Sequence, residues 1–242
     1  MPTIRLDRII AGSGLYSRNE AAELIKRGSV AVGGETALSG AQKHDPEAEQ
    51  ITIDGAPLLF EKFRYIMLNK PKGYISSTGD RRERTVMELL DARYSKLGLF
   101  PIGRLDKDAE GLLLLTNDGE LAHRITSPGK GVAKRYHVGT EGAVTASDVA
   151  LFARGVELSD GTICKPALLE PAPGGAAVTI SEGKYHQVKR MMAAIGKQVK
   201  TLKRVAIGGL WLDESLGPGE YREISDEIHA VFGGVKKTNI KK

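Results

Sequence analysis

The 242-residue chain has one cysteine, Cys164, so no internal disulfide and no multi-cysteine metal site is possible. A lone thiol fits a reducing, cytoplasmic setting of the bacterial type. Aromatic residues are scarce, at 5%. The five histidines are scattered and form no pair at metal-ligand spacing, so no metal is expected. No apolar run approaches the roughly 18 residues of a membrane span. Met1 to Asp7 also lacks the apolar core of a signal peptide, and no membrane partner is expected. Glycine is plentiful, yet no Gly-x-Gly-x-x-Gly or phosphate-loop pattern follows a strand-like run. That argues against a nucleotide-binding enzyme.

Hydrophobic residues make up 41%, enough for a globular chain with a sizeable core in one large domain or two smaller ones. The net charge of +5 points only weakly to nucleic acid, because the last ten residues hold four lysines and no acid. Local clusters have to carry the electrostatic argument.

The chain is organised around Gly103 to Gly119. Arg104 to Glu110 is polar and charged, with only Leu105 and Ala109 apolar. Leu112 to Leu115 is a continuous apolar run, closed by Asn117-Asp118-Gly119. Such a run between turn signals reads as a buried strand. A charged loop fastened to a buried strand can hold a reactive group still. Taken alone, Asp106 reads as a turn residue or a surface ion pair with Arg104 or Lys107.

The first 58 residues have their own pattern. Ile4 to Gly12 reads as a short amphipathic helix with Leu6, Ile9 and Ile10 on one side. Ser17-Arg18-Asn19-Glu20 is a capping box, and the helix it opens is expected to bury Ala21, Ala22, Leu24 and Ile25 and to stop at Gly28. Val30 and Val32 alternate into Gly33-Gly34, a hairpin signal. Arg5, Arg8, Arg18, Lys26 and Arg27 can line one face. His44 to Gln50 reads as a loop, Ile51 to Asp54 as a strand, and Gly55-Ala56-Pro57 as a break before a linker at about 56–62.

Beyond it, Arg64 to Leu68 reads as a strand leading into Asn69-Lys70-Pro71-Lys72-Gly73. The Ser76 to Arg84 loop carries Arg81, Arg82 and Arg84, and reads equally as an exposed loop or a phosphate clamp. Short capped helices are expected at Thr85 to Leu90 and Thr145 to Ala153, and a further helix at Leu121 to Ile125. Lys134 to Val138 is a strand whose alternation puts Lys134, Tyr136 and Val138 on one face. A strand at Ala177 to Ser181 is followed, after Glu182-Gly183-Lys184-Tyr185-His186-Gln187, by a helix carrying Val188, Met191, Met192 and Ile195. Lys184 to Arg204 holds seven basic residues and no acid, and Val199 to Leu212 is strand-like. Residues 233–242 form a basic tail, expected to be disordered.

Three strings are specific enough to suggest a family. Gly-Arg-Leu-Asp at 103–106, followed after five residues by Leu-Leu-Leu-Leu-Thr-Asn-Asp-Gly, closely resembles the active-site motif of pseudouridine synthases of the small-subunit ribosomal RNA type. Glu-Gly-Lys-Tyr-His-Gln-Val-Lys-Arg-Met-Met-Ala-Ala-Ile-Gly at 182–196 is the second match, and Met-Leu-Asn-Lys-Pro-Lys-Gly-Tyr at 67–74 looks most like the small-subunit branch. One departure is Ala109, where the family usually has Thr. The basic and apolar pattern of residues 3–55 resembles the alpha-L RNA-binding module of a small-subunit ribosomal protein.

The resemblance implies isomerisation of one uridine in ribosomal RNA, or in a pre-ribosomal particle, to pseudouridine. It implies no cofactor, since the reaction has no net redox change or hydrolysis. Asp106 would be the catalytic carboxylate, attacking the ring or the sugar or assisting elimination. Tyr136 would stack on the target uracil, and Lys189, at the end of Gln-Val-Lys, would pair with Asp106. Arg190 is the adjacent alternative, turned by about 100° on a helix. Ile102 and Leu105 would wall the pocket. Candidate RNA contacts are Arg5, Arg18, Lys26, Arg27, Lys70, Arg81, Arg82, Arg104, Lys184 and Arg190. The expected fold is α+β: a small α/β RNA-binding module at 1–58, and at 63–232 a catalytic domain with a mixed, mainly antiparallel sheet covered by helices. A monomer is expected. A large-subunit target, or a non-catalytic ribosome-assembly protein, are the alternatives.

Overall fold

The computed structural model describes residues 3–233, so most of the basic tail lies outside the described residues. A short strand β1 (Ile4–Arg5) leads into helix α1 (Leu6–Gly12), which buries Leu6, Ile9 and Ile10. Helix α2 (Arg18–Lys26) starts at the expected box: Ser17 Oγ accepts from Glu20 N at 3.2 Å, and the Glu20 carboxylate accepts from Ser17 N. It buries Ala21, Leu24 and Ile25. Ala22 is exposed instead, because one helical step turns it about 100° from Ala21.

Strands β2 (Val30–Val32) and β3 (Glu35–Thr36) form the hairpin across Gly33-Gly34. Strand β4 (Lys43–His44) pairs with β1. Strand β5 (Ile51–Ile53) pairs with β2, then turns at Asp54-Gly55, both at positive φ, into β6 (Ala56–Pro57). Gly55-Ala56-Pro57 is therefore not a break but the return arm of a hairpin. Pro57 is tolerated because β6 is an edge strand. Leu58 and Phe60 pack on the same core as Leu6 and Ile9. This unit runs to Arg64 and takes in Leu90–Leu99 with helix α3 (Ala92–Ser95), which the sequence did not signal.

The second unit holds Tyr65–Leu89 and the chain from Phe100 onward. Strand β7 (Tyr65–Lys70) is buried along its whole length. The turn Val86–Leu89 is 3-10 rather than α, with Glu88 accepting from Thr85 N at 2.6 Å. Strand β8 (Phe100–Pro101) and β9 (Glu110–Thr116) flank the Asp106 loop. Leu112 to Leu115 are all fully buried in β9. Helix α4 (Gly119–Thr126) is capped by Asp118, whose carboxylate takes Leu121 N and the Tyr65 hydroxyl, each at 3.0 Å. The Asn-Asp-Gly turn thus also ties the helix start to β7.

Strand β10 (Lys134–Thr140), helix α5 (Ala146–Arg154), and strands β11 (Leu168–Ala172) and β12 (Gly175–Ile180) follow. Helix α6 (Gln187–Ala194) buries Gln187, Val188, Met191 and Met192, and Ile195 lies just beyond its end. Strands β13 (Val199–Ile207), β14 (Leu210–Trp211) and β15 (Tyr221–Glu223) and helix α7 (Ser225–Phe232) complete the unit. The sheet order is β11-β12-β10-β13-β9-β7-β15. Every pairing is antiparallel except β13 with β9. The expected α+β class with a mixed, mainly antiparallel sheet is what forms. No helix among the described residues is long and apolar enough to cross a membrane.

The parallel contact sits directly behind the Asp106 loop and depends on one glycine. Gly111 has φ +100, and a Cβ there would lie 2.2 Å from the Arg204 carbonyl oxygen. Only glycine lets β13 approach β9 at this point.

Candidate active site

The loop from Gly103 to Ala109 is held through its backbone, from behind, by three side chains. Lys70 is fully buried at the end of β7. Its ammonium donates to the carbonyls of Pro71 and Asp106 at 3.0 Å and of Ala109 at 2.8 Å. Ser76 Oγ donates to Leu105 O and accepts from Leu105 N, each at 3.0 Å. Arg204, only 2% exposed on β13, donates through Nε to Leu112 O at 2.8 Å and through Nη1 to Arg104 O at 3.5 Å. With the backbone so engaged, the Asp106 side chain is left to face a cleft.

Burial pulls the Lys70 ammonium down to about 8, against the opposing pull of Asp106, Asp108 and Glu110. Burial also lowers Lys134, helped by the neighbouring Arg204 cation.

The cleft has a volume of about 670 Å³ and is lined by Ile102, Leu105, Asp106, Tyr136, His186 and Arg204 among others. That is within the roughly 300–1,000 Å³ of small-ligand pockets. Lys189 Nζ lies 3.4 Å from Asp106 Oδ2, and His186 Nε2 lies 3.5 Å from Asp106 Oδ1. Lys189 is shared: its closer contact is Asp108 Oδ1 at 2.5 Å, and that hydrogen bond lowers the Asp108 pKa. Tyr136 is 7% exposed and faces the cleft from β10, with Ile102 and Leu105 as apolar wall. The arrangement presents a carboxylate and an aromatic ring in one concave site, with a cation 3.4 Å from the carboxylate.

The helix register separates the two basic candidates. Lys189 points at the Asp106 loop, whereas Arg190 pairs with Asp160 at 2.5 Å. Arg104 is exposed at the cleft mouth. Arg81 and Arg82 are exposed on the 76–84 loop, whose anchor is polar: the buried Ser76 hydroxyl. Lys184 is paired with Glu182 at 2.5 Å. In the first unit Arg18 and Lys26 are exposed, Arg5 pairs with Asp7 at 2.6 Å, and Arg27 with Asp54 at 3.3 Å. Lys70 needs correction. Expected as an RNA contact, it has no exposed surface and spends its donors on loop carbonyls.

Sequence reasoning missed His186, Asp108, Arg204 and Ser76. His186 sits at φ +48, immediately before α6, and stacks on Tyr185 with ring centroids 3.8 Å apart. The Tyr-His-Gln string at 185–187 was the available signal for it. Ser76 and Arg204 carried none, since each acts through a backbone carbonyl distant in sequence. Among the described residues no group of three His, Cys, Asp or Glu side chains could hold a metal ion.

Residues 64–194 match the family described as RNA pseudouridylate synthase, and residues 4–49 match the S4 domain. The chain is 43% identical to an uncharacterized RNA pseudouridine synthase of Bacillus subtilis, across 93% of this chain and 96% of that one. It is 44% identical to the ribosomal small subunit pseudouridine synthase A of Salmonella typhimurium, across 95% of this chain and 100% of that protein. A crystal structure of a pseudouridylate synthase aligns with a TM-score of 0.66 at 39% identity, covering 93% of this chain and 98% of that one.

Proposed function

The chain belongs to the RNA pseudouridylate synthase family, and on that premise we propose that it isomerises one uridine of small-subunit ribosomal RNA with Asp106 as the nucleophile and no cofactor. The observation that carries this reading is the cleft itself. The Asp106 carboxylate, on a loop braced by buried donors, and the Tyr136 ring line one concave site, and the Lys189 ammonium stands 3.4 Å from that carboxylate. The small-subunit assignment is supported by the Salmonella typhimurium relative, similar over its entire length.

In this reading the target nucleotide leaves its stack, at an unstacking cost of a few kcal/mol, and enters the cleft. Tyr136 lies against the uracil, and Ile102 and Leu105 keep the site apolar. The bond between the sugar and the ring nitrogen breaks, the base turns, and a ring carbon bonds to the same sugar carbon. The proton displaced from that ring carbon leaves, and one arrives on the freed nitrogen, so the composition is unchanged. Asp106 forms a transient covalent bond during this exchange. Lys189, 3.4 Å from the carboxylate, holds its orientation before attack and after release. All these groups come from one chain, so a monomer suffices. The S4 unit adds phosphate contacts through residues such as Arg18 and Lys26, and the protein works in the cytoplasm.

The test is to map alkali-resistant carbodiimide adducts, which mark pseudouridine, in small-subunit and large-subunit ribosomal RNA, each incubated with and without the protein. A new adduct at one small-subunit uridine is expected. Adducts confined to the large subunit would move the target, and no adduct in either would remove the activity.

A further inference from the structure

Tyr185 is the most exposed aromatic residue at the cleft, at 76%, in a chain that has few aromatics. It is not loose. Its ring lies flat on His186, with an interplanar angle of 19° and centroids 3.8 Å apart. Its carbonyl oxygen accepts from Arg190 Nη1 at 3.4 Å. His186 in turn stands beside the Asp106 carboxylate at 3.5 Å. Two stacked planes therefore lead from the catalytic carboxylate to the rim, and the outer one ends in an aromatic face with no protein ring upon it among the described residues.

The charges around this face do not explain it. Lys184 is paired with Glu182, Lys189 with Asp108, and Arg190 with Asp160. With its cations satisfied internally, this edge of the cleft offers a π surface rather than a phosphate site. Extruding a uridine breaks the stacking on both its neighbours. A flat aromatic ring at the rim is the complement of a base that has just lost its partner, and base–aromatic stacking tolerates any base identity.

We infer that Tyr185, backed by His186, is a stacking platform for the unpaired base next to the target uridine. The inference rests on the proposed RNA substrate and adds a second, non-reacting nucleotide subsite to it. It makes Tyr185 a binding residue, with His186 positioning it.

The test is a cycle between protein and RNA. The full chain and Tyr185→Leu, which keeps bulk but loses the ring, are compared on a small-subunit ribosomal RNA fragment containing the mapped uridine. The fragment is made with its normal sequence and with an abasic residue on either side of the target. Kd is measured directly, and KM and kcat by tritium release from 5-tritiated uridine. Tyr185→Leu should weaken binding and raise KM by roughly 5- to 100-fold on normal RNA, with Tyr185→Phe within about twofold of the parent. On the RNA lacking the stacked neighbour the two proteins should bind alike. Trp211→Leu, an exposed aromatic outside the cleft, should change nothing. Independent penalties at both neighbours, or a loss in kcat alone, would overturn the platform and leave Tyr185 as a cover for His186. A parent protein that binds these RNAs but converts no uridine would sink the enzymatic reading, while the binding arm would still decide the platform.

Discussion

The tripeptide Arg-Leu-Asp occurs twice, at 5–7 and at 104–106, with opposite outcomes. In the first unit Leu6 is fully buried at the start of α1, and Arg5 and Asp7 neutralise each other at 2.6 Å. The Asp7 carboxylate is held below the usual carboxylate range by its hydrogen bond to Arg5. In the second unit Leu105 is again buried, but Arg104 reaches the cleft mouth and Asp106 meets Lys189 and His186 instead of its neighbouring arginine. The difference lies in the backing. The first copy has its backbone paired with the backbone of residues 40–43, whereas the second is an irregular loop whose carbonyls take side-chain donors, Lys70 and Arg204. Donors from distant strands hold the backbone around Asp106. What separates the two carboxylates is what stands around them, not their immediate neighbours in sequence.

The comparison breaks most sharply at the two carboxylates. Asp106→Asn should lower turnover by roughly 10³-fold or more, with RNA affinity within about tenfold of the parent because phosphate contacts dominate binding. Asp7→Asn, the same exchange in the other copy, should leave kcat near that of the parent. Tritium release under saturating RNA separates them, and comparable losses in both would deny the second copy its special role.

Removing the backing comes next. Lys70→Met leaves loop carbonyls without their buried donor, and a displacement of about 1 Å can lower kcat on the order of 10²-fold. A pH signature should accompany Lys70 in the parent. Its folded value, about 8, lies below that of an unfolded lysine. The folded chain therefore releases this proton first. The burial penalty is full below about 8 and eases as pH rises from there towards the ordinary lysine value, so this residue's contribution to global stability increases across that window. Over the same window the amine loses one of its donors to the loop, and activity should fall with an alkaline limb near 8. A limb unchanged in Lys70→Met would assign it to another group.

Smaller again is the effect of the cation in front. Lys189→Met should lower kcat by roughly 10- to 100-fold, since the carboxylate loses the cation beside it. Arg190→Met, which breaks the pair with Asp160 instead, should change kcat by only a few-fold. If Arg190→Met were the more damaging at saturating RNA, the partner assignment would pass to it.

The least effect on chemistry is expected in the first unit. Exchanging Arg18 and Lys26 together for alanine should raise KM and leave kcat alone. The log–log salt slope of binding should become shallower by about 0.7 to 0.9 for each phosphate that is no longer neutralised. An unchanged slope would mean that these exposed side chains do not touch the RNA backbone.

Much of this was legible along the chain. The capping boxes at Ser17 and Thr145 and the apolar run at Leu112 to Leu115 are local signals, and each element formed where its signal stood. The short strands β11 and β15 and the helix α7 were missed, because brief edge elements depend on the neighbours they join. At the site, string matching indicated Asp106, Tyr136 and Lys189, and the fold brings the first two to one cleft with Lys189 beside Asp106. The role of Lys70 could not be read that way. Lysine in a Lys-Pro-Lys-Gly loop looks like a surface cation until the sheet closes over it.

Sequence alone determined which segments could be helix, strand or buried run, because caps, turns and apolar periodicity act over a few residues. It also specified Gly111, whose missing Cβ is a property of the residue itself. Only the tertiary structure decided which of the two carboxylates faces a cleft. Asp7 and Asp106 have the same two preceding residues, and their difference arises from Lys70, Ser76, Lys189 and Arg204, which reach the second loop from four other segments. Hydrogen bonds and charge act over a few ångströms of space, whatever the separation along the chain.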